Sequence, residues 1–265
     1  MDYKTKGNEL ISVTPDDTLS ISLSPDEQKY FFNQARQYRE LIMMYNSAIK
    51  EVKTKLEVLN DELSIKNERN PIESISSRVK SITSIVDKLN RKGKEISVKE
   101  VYNTLNDVAG IRIICSFVDD IYQIANMLIR QDDIKLVEVK DYIQHPKPNG
   151  YRSLHLVIEV PIFLSNRKRY MKVEIQIRTM AMDFWASLEH ELKYKHDIEN
   201  EKEISQELRE CAEVISNTDM KMLEIRDKIK PKHTEDARYL DLIPKLWTER
   251  MKDWWLLRIN GKIMS

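Results

Sequence analysis

Two segments of this chain alternate apolar and polar residues with a period of two. In "SLHLVIEV", Leu154, Leu156, Ile158 and Val160 point one way, while Ser153, His155 and Glu159 point the other. In "RYMKVEIQIRT", Val173, Ile175 and Ile177 oppose Lys172, Glu174, Gln176 and Arg178. Successive side chains of a strand face opposite sides of a sheet, so each segment has one dry and one polar face. A sheet of such strands is backed by helices on one side only. The stretch just before the first strand, "KPNGYR", is a turn signal at Asn149–Gly150 that leads directly into an aromatic ring and a cation.

The flanking sequence supplies the helices. "SPDE" at 24–27 starts one: Ser24 can cap it, Pro25 suits its first turn, and Glu27 can close a capping box. That helix is expected to reach about Lys66, where "NERNP" stops it because Asn70 precedes Pro71. The segment "IESISSRVKSITSIVDKLNRKG" reads as a second, amphipathic helix. Ile75, Val79, Ile82, Val86 and Leu89 form its apolar stripe, Lys80, Ser84, Lys88 and Arg91 an opposite polar one, and Gly93 ends it. "DVAGIRIICSF" reads as a turn into a buried strand, "DDIYQIANMLIRQ" as a helix and "IKLVEVKDYI" as a strand; the chain is helical from Ala181. The connections are too short for regular βαβ crossovers. The expected fold is α+β, with a mixed, largely antiparallel sheet and helical extensions at both ends.

Composition narrows the chemistry. Net charge is zero, 43 cations against 43 anions, so anion binding would need locally concentrated positive charge. Cys115 and Cys211 offer neither metal spacing nor a disulfide framework. The five glycines build no GxxxxGK and no GxGxxG, so a bound nucleotide would not rest in a glycine cradle. Neither a signal core nor a membrane span is evident, which points to a cytoplasmic protein without membrane partners.

The polar residues can be solvated faces and nothing more. Their types also suit a Mg-nucleotide enzyme. Asp107 and Glu174 can hold Mg²⁺ through oxygen. Lys80, Ser84, Lys88 and Arg91 in line make a polyphosphate rail. Tyr151 offers a ring to a base, and Arg78 and Arg112 offer guanidinium planes.

Four pieces, in order, resemble the RelA/SpoT synthetases and above all the stand-alone small alarmone synthetases. They are "RVKSITSIVDKLNRKG", "DVAGIRI", "VKDYIQHPKPNGYRSLHLVIEV" and "VEIQIRTMAMDFWASLEHELKYK". The resemblance covers roughly 68–196, giving a polar tail at 1–23, an N-terminal helix at 24–67, a synthetase domain at 68–196 and a helical extension at 197–265. It implies a nucleotidyltransferase-like synthetase fold and transfer of pyrophosphate from ATP to the 3′-hydroxyl of GDP or GTP, releasing AMP in the stringent response. By matching position, Arg78 and Arg112 would sandwich adenine, and Lys80, Ser84, Lys88 and Arg91 would contact the ATP phosphates. Asp107 would hold Mg²⁺; Glu174 would serve the 3′-hydroxyl and the metal, with Gln176 beside it. Tyr151 would stack on guanine, Lys140, Lys147 and His155 would contact acceptor phosphates and ribose, and Asn149 and Gln176 would belong to the same GDP/GTP site.

The resemblance further implies a homotetramer, and leaves (p)ppGpp or RNA as candidate regulators. His196–Asp197 spells the signature of a hydrolase found in long relatives, but it follows the synthetase motifs, so synthesis without hydrolysis is expected. Candidate assembly surfaces are Tyr30, Phe31, Tyr38, Leu41, Ile42 and Tyr45 on the first helix and the tryptophan-rich end. That end, with Leu246, Trp247, Met251, Trp254, Trp255 and Leu257, has three readings: packing on its own core, joining an interface, or docking a membrane or partner. Two rival functions stay open: a non-catalytic guanine-nucleotide or RNA sensor of the same fold, and another nucleotidyltransferase-like enzyme.

Overall fold

The structure is a computed structural model that describes residues 24–67, 69–194 and 201–229. The Glu27 side chain, the tail at 1–23, the His196–Asp197 dipeptide and the tryptophan-rich end lie outside the described residues. The chain divides into two compact units, Met1–Glu40 and Leu41–Ser265.

Helix α1 (Pro25–Asn67) begins in the first unit, where its described side chains are mostly exposed. In the second unit it turns inward: Leu41, Tyr45, Ala48, Val52, Leu56, Leu59 and Leu63 are buried at three- and four-residue intervals. Leu41 and Tyr45 are therefore core residues of this unit rather than spare apolar surface, which corrects their reading as assembly contacts; Tyr30 and Phe31 lie outside the described side chains.

Among the described residues there are five strands, β1 (Ile72–Val79), β2 (Ala109–Cys115), β3 (Lys135–Asp141), β4 (Leu154–Phe163) and β5 (Lys168–Thr179). Their order across the sheet is β1-β2-β5-β4-β3. Only β2 and β5 pair in parallel; the other pairings are antiparallel. The remaining helices are α2 (Ile82–Arg91), α3 (Val98–Thr104), α4 (Val118–Ile129), α5 (Met180–Tyr194) and α6 (Glu201–Ile229). The expected mixed sheet of an α+β fold is what the chain forms.

One element departs from expectation. "IESISSRV" is not the first half of a helix but an edge strand running along the whole of β2. The register shifts between Ile72 and Ser74, so Ile72 faces Cys115 and Ile75 faces Ile113, two residues on one side of β2. A bulge thus puts residues three apart on the same face of a strand, which imitates helical spacing. The helix itself starts later. Ser81 caps α2, accepting from the Ser84 amide, and Ile85 and Leu89 are its buried residues, whereas Ile82 is exposed. Gly93, at φ 63, closes the turn after it.

The dry face of the sheet carries Ile111, Ile113, Leu154, Leu156, Ile158, Val160, Val173, Ile175 and Ile177, all almost fully buried. Helix α4 contributes Ile121, Ile124, Ala125 and Leu128 to the same core. Each such large aliphatic side chain stabilises the fold by roughly 1.5–3 kcal/mol. The opposite face holds a polar row that crosses all five strands. Ser76 pairs with Arg112, Arg112 with Gln176, Gln176 with His155, and His155 with Lys140. Among the described residues no helix is long and apolar enough to cross a membrane.

Candidate active site

The polar row ends in a cleft of about 200 Å³. Arg78 of β1, Lys80 of the β1–α2 link, Arg112 of β2, Glu174 and Gln176 of β5, and Asp107 ahead of β2 line it. Strand pairing explains this grouping: Arg78 sits opposite Gly110, and Gly110 opposite Glu174, so Arg78 and Glu174 flank a position without a side chain.

Asp107 anchors one end. Lys80 and Lys88 both donate to its Oδ2 at 2.6 Å. Burial alone would raise this carboxyl; the two ammonium groups outweigh it and hold the acid below the usual carboxylate range. Oδ1 of Asp107 is buried and has no hydrogen-bond partner. Lys80 is not on the helix, as its place in the expected stripe requires, but one residue ahead of the Ser81 cap. Its ammonium nevertheless meets that of Lys88 on one oxygen.

At the other end lies a nearly closed ring of side chains. Arg178 Nη2 donates to the Tyr151 hydroxyl at 2.6 Å and to Gln176 Oε1 at 2.9 Å. Gln176 Nε2 donates to Glu174 Oε2 at 3.1 Å. Tyr151 Oη lies 2.8 Å from His155 Nε2, and His155 Nδ1 lies 3.8 Å from Glu174 Oε1, which is too long for a hydrogen bond. Burial first, then the charges of Arg178, Lys147 and Lys140, push His155 down to about 3. The imidazole is neutral at pH 7. Because Arg178 already donates to Tyr151 Oη, the simplest assignment has that hydroxyl donate to Nε2 and leaves the ring proton on Nδ1, towards Glu174.

Lys147 sits between two aromatic rings, 4.8 Å from the centroid of Tyr142 and 4.8 Å from that of Tyr151. Asp183 bridges the two halves: Arg178 Nη1 donates to its Oδ1 at 3.0 Å, and Arg112 Nη1 approaches the same oxygen at 3.4 Å.

The profile described as "Region found in RelA / SpoT proteins" matches residues 77–199. The chain is 50% identical over 192 residues to GTP pyrophosphokinase YwaC of Bacillus subtilis, covering 72% of this chain and 91% of that protein. The chain belongs to the RelA/SpoT family. Two solved structures of the small alarmone synthetase 1 from Bacillus subtilis are also similar. The one bound to its product pppGpp matches at TM-score 0.66 and 37% identity, covering 74% of this chain and 100% of that one. The one bound to AMPCPP matches at TM-score 0.60 and 34% identity, covering 73% and 98%.

In this RelA/SpoT chain the structure brings Arg78, Lys80, Lys88, Asp107, Arg112, Glu174 and Gln176 together at the cleft, with Tyr151 and His155 joined to them through hydrogen bonds. Three other residues named from the sequence are engaged elsewhere. Asn149 donates to Glu189 at 3.0 Å and accepts from the Tyr151 amide. Arg91 is exposed at the end of α2 and donates to the Asp87 carbonyl. Lys140 is on the polar row but lies 3.2 Å from Glu138. Ser84 accepts from the Ser81 hydroxyl at the start of α2, one turn before Lys88.

Two residues of this constellation escape a sequence reading. Arg178 is visible as one more polar position on β5, but its burial and its three partners need the fold. Asp183 lies on α5 and looks like an ordinary first-turn acid.

Proposed function

We propose that this protein is a (p)ppGpp synthetase that transfers pyrophosphate from ATP to the 3′-hydroxyl of GDP or GTP and releases AMP. The observation that carries this reading is the cleft itself. Two carboxylates, two guanidinium groups and two ammonium groups converge at one end of a polar row whose other end holds Tyr151 and His155.

On the donor side, Arg78 and Arg112 flank the adenine with guanidinium planes. Lys80 and Lys88, with Ser84 and Arg91 further along α2, receive the phosphates. In the free protein the two lysines neutralise Asp107; a polyphosphate competes for them. On the acceptor side, guanine stacks on Tyr151, and Lys147, Lys140 and Asn149 face its phosphates and sugar. His155, neutral at pH 7, offers a ring proton rather than a charge. Glu174 takes the proton of the 3′-hydroxyl as its oxygen attacks the β-phosphorus of ATP. The bond between the β-phosphorus and the bridging oxygen breaks, and AMP leaves with that oxygen. Gln176 and Arg178 hold Glu174 in place while this happens.

A divalent cation fits this donor set. Asp107 Oδ1 is buried and unsatisfied, and Glu174 lines the same cleft. Among the described residues no cluster of three or more His, Cys, Asp or Glu side chains is poised for a metal. One or two carboxylates plus substrate phosphates is how Mg²⁺ is usually held. Asp107 and Glu174 would hold Mg²⁺, which would supply neutralisation of phosphate charge.

The test is Glu174→Gln, assayed with ATP, GDP or GTP and Mg²⁺ by chromatography. It is expected to bind both nucleotides and to release less than about one-hundredth of the wild-type AMP, as loss of a positioned base does elsewhere. AMP release within tenfold of wild type removes Glu174 from this role, and nucleotide binding without AMP from the wild type favours the sensor. We place the protein in the cytoplasm as a homotetramer. Light scattering on the full chain checks the assembly, and a monomer mass contradicts it.

A further inference from the structure

Helix α6 follows the matched family region, which ends at 199, and contributes no residue to the lining of the donor cleft. Its contacts lie elsewhere. Gly150, at φ 89, presses against it so closely that a Cβ there would stand 2.5 Å from Ala212 Cβ and 3.2 Å from Arg209 Cα. Loop backbone and helix meet with no side chain between them, which only glycine against a small residue permits. Arg152 then joins the two: its Nη1 donates to the Gly150 carbonyl at 3.1 Å and to the Ala212 carbonyl at 3.3 Å.

The residue between Gly150 and Arg152 is Tyr151. It packs against the buried cluster of Trp185, Ala186 and Ala212, together with Leu208 and Ile215. Trp185 Nε1 donates to the Leu208 carbonyl at 2.9 Å, joining α5 to α6 beneath the ring. Further along, α6 is fixed twice more. Asp219 accepts from Thr179 at 2.6 Å, and Arg226 donates to Asp119 at the start of α4 at 2.8 Å. The helix is thus braced against the sheet and the other helices, and the loop leans on it.

We infer that α6 is the positioning element of the acceptor site, with Arg152 and Ala212 as the residues that hold Tyr151 in the orientation for stacking on guanine. The inference rests on the acceptor role given to Tyr151 above. Neither residue is catalytic; both act through the loop. It follows that shifting α6 at this contact changes guanine-nucleotide affinity and leaves ATP affinity alone.

Calorimetric titration of the full chain with GDP, GTP and a non-hydrolysable ATP analogue tests this. Ala212→Leu pushes the loop away, and Arg152→Gln cuts the bridge without adding volume. Both are expected to raise the Kd for GDP and GTP on the order of tenfold, since small misplacements of a positioning group carry large costs, with the ATP analogue unaffected. Ala212→Gly, which keeps the close approach, is expected to match wild type, and Arg152→Lys to recover part of the loss. Equal weakening of all three nucleotides, or no weakening by either disruptive variant, overturns the inference. A wild-type chain that binds the ATP analogue but neither GDP nor GTP overturns the acceptor reading itself.

Discussion

Burial and the charges of Arg178, Lys147 and Lys140 hold His155 down, from 6.5 to about 3. Because the folded value lies below the unfolded one, the unfolded chain binds the extra proton between them. The contribution of this residue to stability is therefore complete above about 6.5 and is lost as pH falls towards about 3. His155→Gln is expected to flatten the pH dependence of unfolding in that window, by up to about 1.4 kcal/mol per pH unit for one proton. Denaturant titrations of both proteins at several pH values check it; parallel curves contradict it. At residue scale, much of the constellation was legible. Glu174, Gln176 and His155 stand on the polar side of clean alternations, and Asp107 stands at a turn before a buried strand. Arg178 and Asp183 were not, because a half-buried strand and an amphipathic helix both carry such residues by default. What distinguishes them is the set of partners that strand pairing brings within reach.

Elements were legible where their periodicity is unbroken. Strand β5 shows period two from Met171 to Ile177, β4 sets His155 and Glu159 between buried Leu154, Leu156, Ile158 and Val160, and α1 has a start signal and a proline stop. Strand β1 misled because Ile75 and Val79 stand four residues apart, a spacing that shares one face in a strand as well as in a helix, so the stripe ran unbroken from β1 into α2. Helix α3 is short and has only Ser97 as a cap. One contact between elements invites a test. Arg69, between α1 and β1, donates two hydrogen bonds to Asp120 of α4, at 2.9 and 2.6 Å. Asp120 is fully buried, and burial raises its carboxyl despite Arg69. Arg69→Ala leaves that acid with the Phe117 amide but without its guanidinium partner, and is expected to cost about 3 kcal/mol. The folded carboxyl then titrates still higher above its unfolded value, so the penalty is greatest at high pH and shrinks as pH falls through the raised folded values, above the ordinary carboxylate range. Denaturant unfolding of the variant across pH reads both the size and the sign; a pH-independent gap contradicts the pairing.

For the molecule as a whole, a chain of zero net charge gathers five cations around one face of its sheet, where the proposed function places two polyanionic nucleotides. Arg78, Lys80, Lys88, Arg112 and Arg178 come from two strands, a link and a helix at one edge and from the central strand β5. In the proposed function, side-chain cations do the work that a glycine-rich loop does in other nucleotide sites, which fits a chain with so few glycines. The dry face is legible from composition and alternation alone; how the row on the wet face lines up depends on strand order, which no local pattern encodes. In the proposed function this face directs attack at the β-phosphorus of ATP. The most direct measurement uses ATP labelled at that phosphorus, with unlabelled GDP and the full-length protein. All transferred label is expected in the guanosine product and none in the AMP released. Label retained on an adenosine nucleotide, as ADP would carry it, would contradict it.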